Sequence, residues 1–133
     1  MTITATVKNA YEQHEATVST NSVSRQVSLP AKPEGYGSAV NGGELLFLAL
    51  ATCFCNDVYR EAARRNMAID LVEVMVTGEF GQEGEPATNI TYEVSILAPE
   101  QSQEEIASLT HHVDKVAEVH NTLRKGVRVT LKV

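Results

Sequence analysis

The chain has 133 residues, 43% of them hydrophobic and 21% charged, a balance that suits one ordinary globular domain spanning 1–133 and excludes disorder, collagen and long coiled coil. A formal net charge of −6 argues against a nucleic-acid partner, because phosphate neutralisation needs a basic surface. The one dense apolar run, Leu45 to Cys55, falls short of the roughly 20 residues that cross a bilayer, and it lies mid-chain rather than behind a basic N-terminus. The expectation is a cytoplasmic protein with no signal peptide and no membrane partner.

The chain opens on β signals. Ile3, Ala5 and Val7 alternate with threonines, and Glu15–Ser19 and Val23–Leu29 add two short runs rich in Val, Thr and Ser, so a three-stranded meander is predicted. Pro30, Pro33, Gly35 and Gly37 form a loop into a helix over 41–66. Asn41 as N-cap with Glu44 at N3 makes a capping box. At the other end Arg64 and Arg65 suit the negative end of the helix dipole, and Asn66 suits the residue just past the helix. Apolar all round in its first half, this helix asks for cover on nearly every side.

Two alternating strands follow. Leu71–Phe80 sets Val72, Val74 and Val76 on one face, and Thr88–Ala98 does the same with Ile90, Tyr92, Val94 and Ile96, the two joined by a Gly81–Pro86 hairpin loop. Ser102 and Glu105 give the capping box of a second helix, whose apolar stripe runs Ile106, Leu109, Val113, Val116, Ala117 and His120. Val127, Val129, Leu131 and Val133 then alternate with Arg128, Thr130 and Lys132 as a last strand. The order is α+β, with antiparallel sheet wrapped on helices. Covering so apolar a central helix calls for a second copy of the chain, an obligate homodimer.

Cys53 and Cys55 stand two apart, so on a helix they point roughly 200° apart and cannot form an unstrained disulfide. His111 and His112 adjoin, and His14 is isolated. No i, i+3 or i, i+4 histidine pair of the helical metal-site type exists, and neither a metal nor a cofactor is expected. Arg60, Arg64 and Arg65 read as a solvated helix end.

The segment NGGELLFLALATCFCNDV, followed after a hairpin by VAEVHNTLRKGVRV, resembles the family of osmotically inducible protein C and the organic hydroperoxide resistance proteins. That family's pattern has a glutamate-bearing helix start leading to A-A-C-F and a later C-P-x-S-N-x-x-x-G segment. The resemblance implies the OsmC-like fold, an intertwined homodimer with an active site at each subunit interface, and a peroxidatic cysteine at Cys53. It also implies a helix-start glutamate at Glu44, one residue closer to the cysteine than the common spacing. The family's second cysteine falls on Ala117, its proline on Glu118 and its serine on His120, while Asn121 agrees. No arginine stands in KNAYEQHEATVS, where the hydroperoxide-resistance branch has one, and Lys8 is the nearby cation.

A free thiol with a pKa of about 8.5 is only a few per cent ionised at pH 7, and burial lowers that fraction further. About three turns into its helix, Cys53 lies beyond the reach of the helix N-terminus and needs an outside donor or cation. His120 is the first candidate, pairing with Cys53 across the interface with support from Glu44. The leading function is thiol-dependent reduction of organic hydroperoxides through Cys53. Because the resolving cysteine is missing, turnover would rest on an external thiol or on Cys55, which needs a helix distortion to reach. The alternatives are a diverged protein binding a small apolar ligand at the dimer interface, and a Cys–His group-transfer enzyme. Bland roles stand beside these: core packing for Cys53 and Cys55, helix capping for Glu44, and a satisfied interface histidine for His120.

Overall fold

The structure, a computed structural model, describes residues 1–133 and divides into two compact units, Met1–Leu45 and Leu46–Val133, with one helix running through the boundary. In the first unit β1 (Ile3–Ala10), β2 (Gln13–Thr20) and β3 (Val23–Val27) form the predicted meander, antiparallel in the order β1-β2-β3. The β2–β3 turn places both Asn21 and Ser22 at positive φ, the geometry of a two-residue turn that follows the twist of the strands. Asn9 ties the Pro-Gly loop to this sheet, its side chain accepting from Gly37 N–H at 2.8 Å and donating to Gly37 C=O at 3.1 Å.

Helix α1 (Gly42–Arg64) begins with the expected box. Asn41 Oδ1 accepts from Glu44 N–H at 2.8 Å and Glu44 Oε1 accepts from Asn41 N–H at 3.0 Å. It ends in a Schellman turn, in which Asn66 takes a φ of 56° and Met67 N–H reaches back to Ala62 C=O at 2.9 Å.

In the second unit β4 (Leu71–Glu79) and β5 (Thr88–Leu97) pair antiparallel from Leu71↔Leu97 to Glu79↔Thr88. The predicted inner face holds for Val72, Val74, Tyr92, Val94 and Ile96, which pack on the core of Phe54, Val58, Ala62, Leu109, Val113 and Ala117, whereas Ile90 is 37% exposed. Gly78 sits at the register shift in β4, where a Cβ would lie 2.5 Å from Phe47 Cζ. Only glycine lets that ring cross the strand so closely. Ser102 and Glu105 form the predicted box at the start of α2 (Gln103–Val116). No helix is long and apolar enough to cross a membrane.

Two expectations are corrected. The second helix does not run through to His120: it breaks at Ala117, whose ψ is 108°, and restarts as α3 (Glu118–Arg124). Side chains from beyond the break make it stable. Asn121 Nδ2 donates to Lys115 C=O at 3.0 Å and Arg124 Nη1 to Asp114 C=O at 2.9 Å, satisfying carbonyls that a continuous helix would have used. The predicted strand over 127–133 is not formed: the segment pairs with no strand of its own chain, and Val129 stands 96% and Leu131 84% exposed. As expected of a single chain, α1 is not covered all round, Leu48 being 58% exposed.

Candidate active site around Cys53

Cys53 is half-buried on α1, beside core residue Phe54. Helical spacing puts residue i+4 on the same face one turn on, and that residue is Asp57. Cys53 Sγ–H donates to Asp57 Oδ2 at 3.9 Å. The other carboxylate oxygen, Oδ1, takes Arg60 Nη1 at 2.9 Å. Asp57 is only 5% exposed, so a charge partner is required to keep it there.

The break at Ala117 aims the start of α3 at the sulfur. The first N–H groups of a helix have no partner inside it, and here those of Val119 and Glu118 act on Cys53 to draw its thiol pKa down. Burial nonetheless pushes the thiol pKa up, the Val119 N–H draws it down, and the carboxylates of Asp57 and Glu118 push it up again; the net direction is up. Burial likewise raises the Asp57 carboxyl, which Arg60 lowers and the charges of Glu118 and Glu61 raise. Sγ and the Asp57 and Glu118 carboxylates lie within 4.8 Å of one another, a concentration of negative charge that disfavours a standing thiolate.

Arg60, Arg64 and His112 converge on Glu61, at 3.2, 2.7 and 3.4 Å. The expected solvated helix end therefore also holds ion pairs within α1, with His112 of α2 alongside. His111 stays exposed, and His14 lies in the first unit, 3.0 Å from Asn9 Nδ2.

His120, expected to meet Cys53 across a subunit interface, is set among aromatic rings in its own chain. It is 4% exposed, its ring 4.8 Å from that of Tyr92 and 5.8 Å from that of Phe54, and neither ring nitrogen has a hydrogen-bond partner. Within the chain the hydrogen-bond partner of Cys53 is thus Asp57. Beside His120, Tyr92 O–H donates to the Asp114 carboxylate, which Arg124 Nη2 also holds at 2.6 Å. The Tyr92 bond and then the Arg124 charge keep Asp114 ionised below the usual range, whereas burial and Asp114 push the Tyr92 hydroxyl up. Leu50, Ile90, Tyr92, His120, Leu123 and Arg124 line a cavity of about 230 Å³. Cys55 is free, as is Cys53, and borders a shallow groove with Val72, Glu73 and Val74. The Glu44 carboxylate serves the cap of α1.

Burial, and then the Arg124 charge, lower the His120 pKa, against the pull of Asp114 and Asp57. The unfolded chain then binds a proton that the folded chain refuses as pH falls below about 6.5, so stability declines through that region on acidification and is unaffected above it. Urea midpoints at pH 7.5 and 5.5 are expected to fall further apart in the unmodified protein than in His120→Leu. Equal shifts would contradict this assignment.

Sequence reasoning overlooked Asp57, Glu118 and the Tyr92–Asp114–Arg124 network. The i, i+4 spacing of Cys53 and Asp57 could have found the first of these. No local signal marks the break that brings in the second.

A family model for OsmC-like protein matches residues 35–132. Among curated proteins, none matches the chain. Solved structures share its fold. The OsmC-like protein from Mycoplasma pneumoniae is 20% identical with a TM-score of 0.60, over 91% of this chain and 87% of that one. An organic hydroperoxide resistance protein OsmC from Legionella pneumophila is 17% identical at 0.60, over 98% and 95%. The organic hydroperoxide resistance protein OhrB of Bacillus subtilis is 18% identical at 0.56, over 99% and 97%. With the element order and the Cys53 environment already in view, the match over 35–132 places the chain in the OsmC-like family.

Proposed function

We propose that the chain is a cytoplasmic, homodimeric thiol peroxidase that reduces organic hydroperoxides through Cys53. The observation that carries this reading is the seat of the sulfur, half-buried on α1 and bonded to Asp57 Oδ2, with the Val119 and Glu118 N–H groups drawing its pKa down against burial. Such donors stabilise a thiolate that forms transiently at the moment of attack. The family match and the organic hydroperoxide resistance proteins among its structural neighbours support the reaction class.

The Cys53 sulfur attacks the peroxide, an S–O bond forms as the O–O bond breaks, and Cys53 becomes a sulfenic acid while the peroxide leaves as an alcohol. Ala117 stands where the resembled family has its second cysteine, and Cys55 borders a separate groove, so an external thiol returns the sulfenic acid to thiol. Consumption of t-butyl hydroperoxide with dithiothreitol is expected for the unmodified protein and for Cys55→Ser. It should be lost in Cys53→Ser, and a dimedone adduct should map to Cys53. Peroxide loss independent of Cys53, or no adduct there, would refute the reading.

The cavity beside His120 favours a second reading, a small apolar ligand seated against Leu50, Ile90 and Leu123. Saturable shifts of the Ile90 and Leu123 methyl resonances on titration with hexanol are its expected sign; unmoved resonances would eliminate it.

A further inference from the structure

We propose that Asp57 is the proton shuttle of Cys53, accepting the thiol proton during attack and returning it to the departing alkoxide. This rests on the reductase reading and supplies a step which that reading leaves open, the destination of the proton.

The geometry is fixed by the helix. Asp57 follows Cys53 by four residues, its Oδ2 accepts from Sγ–H at 3.9 Å, and Arg60 Nη1 holds Oδ1 at 2.9 Å, so the oxygen left free is the one facing sulfur. At 5% exposure the carboxylate is shielded from water, and burial raises its basicity, which suits an acceptor that must later give the proton back. The charged groups acting on it are Arg60 and Glu61 from α1 and Glu118 from α3; its own charge acts on His120. Of these only Asp57 bonds the thiol: Glu118 is exposed and both ring nitrogens of His120 are without partners.

The step balances. The proton of Cys53 Sγ–H moves to Asp57 Oδ2. The sulfur attacks the terminal hydroxyl oxygen of ROOH. As the O–O bond breaks, the alkoxide takes the proton from Asp57 and leaves as ROH. Sulfur is oxidised by two electrons to Cys53–SOH, the peroxide is reduced by the same two, and Asp57 ends as it began.

Electrostatics and proton transfer make opposite demands on one variant, which provides the test. In Asp57→Asn a negative neighbour is gone, so the thiol pKa, read from the pH dependence of iodoacetamide alkylation, is expected to fall and alkylation at pH 7 to quicken. The rate of t-butyl hydroperoxide reduction is expected to drop by about a hundredfold, the low end of general acid–base effects. Asp57→Glu, which keeps a carboxylate, should recover part of that rate. Peroxide reduction that quickens along with alkylation would overturn the proposal, making Asp57 only a charge that burdens the thiol. Should Asp57→Asn fail to fold, the unmodified protein decides. Peroxide reduction persisting to lower pH than alkylation supports a carboxylate base, and coincident profiles refute it. Absence of any peroxide reduction by the unmodified protein would sink the reductase reading and this step with it, whereas a rate that Asp57→Asn leaves intact sinks this step alone.

Discussion

Replacing Phe54 by alanine is expected to cost about 3–5 kcal/mol, the range for emptying a fully buried aromatic position. Phe54 is wholly buried on the α1 stripe with Val58, and its ring stands 5.0 Å from Tyr92 and 5.8 Å from His120. No exposed side chain is placed to fill the void, and the neighbours that border it are held elsewhere: Tyr92 by Asp114, and the α3 backbone by the Asn121 and Arg124 bonds to α2. Since folded domains are stable by roughly 5–15 kcal/mol, this one change removes a large share of the margin. The urea midpoint should fall with little change in slope, and alkylation of the adjacent Cys53 should quicken as its wall loosens. A loss below about 1 kcal/mol would mean that the core around Tyr92 and His120 repacks without cost.

The elements that announced themselves did so through local chemistry. Asn41 with Glu44 and Ser102 with Glu105 are caps because a short polar side chain and a carboxylate three residues on can each satisfy the other's backbone N–H. Asn66 ends α1 because asparagine tolerates left-handed φ better than most residues. The inner face of β4 and β5 followed from period-two alternation. What stayed hidden depended on residues far apart in the chain. Ala117 has no dihedral preference that marks a break, and the stripe through Leu109, Val113, Ala117 and His120 is buried whether the helix is one piece or two. The break is selected by Asn121 and Arg124, whose reach back to Lys115 and Asp114 is invisible to periodicity.

The same distinction runs through the candidate site. Cys53 was legible through the motif around it. Asp57 is legible in principle, one turn from Cys53 on the same face. The place of His120 in the second motif suggests a partner for sulfur, and its packing against Tyr92 and Phe54 in its own chain follows from the turn in direction after Ala117. Glu44 illustrates a residue with two legible roles, of which the cap is the one its hydrogen bonds display.

Deleting 127–133 is expected to weaken the proposed homodimer by two decades or more in dissociation constant. The segment alternates valine and leucine with polar residues, a pattern that has meaning only against a sheet edge, yet it pairs with nothing in its own chain. Val129 and Leu131 stand 96% and 84% exposed, and on α1 Leu48 is 58% exposed. An alternating segment left unpaired in its own chain is satisfied by adding to the sheet of another copy, where main-chain bonds supply affinity and the alternate side chains supply register. Burying two large aliphatic side chains is worth roughly 1.5–3 kcal/mol each, and each 1.4 kcal/mol is a factor of about ten. Sedimentation equilibrium should therefore show a dimer for the full chain and a concentration-dependent monomer for the truncation. Leu131→Glu is expected to act in the same direction, because it places a charge on the apolar face of the added strand without removing backbone. Helical circular dichroism of both variants should persist, since no residue of the Phe54–Leu109–Val113 core lies in the segment. A full chain that sediments as a monomer, or a truncation as dimeric as the full chain, would refute this use of the segment.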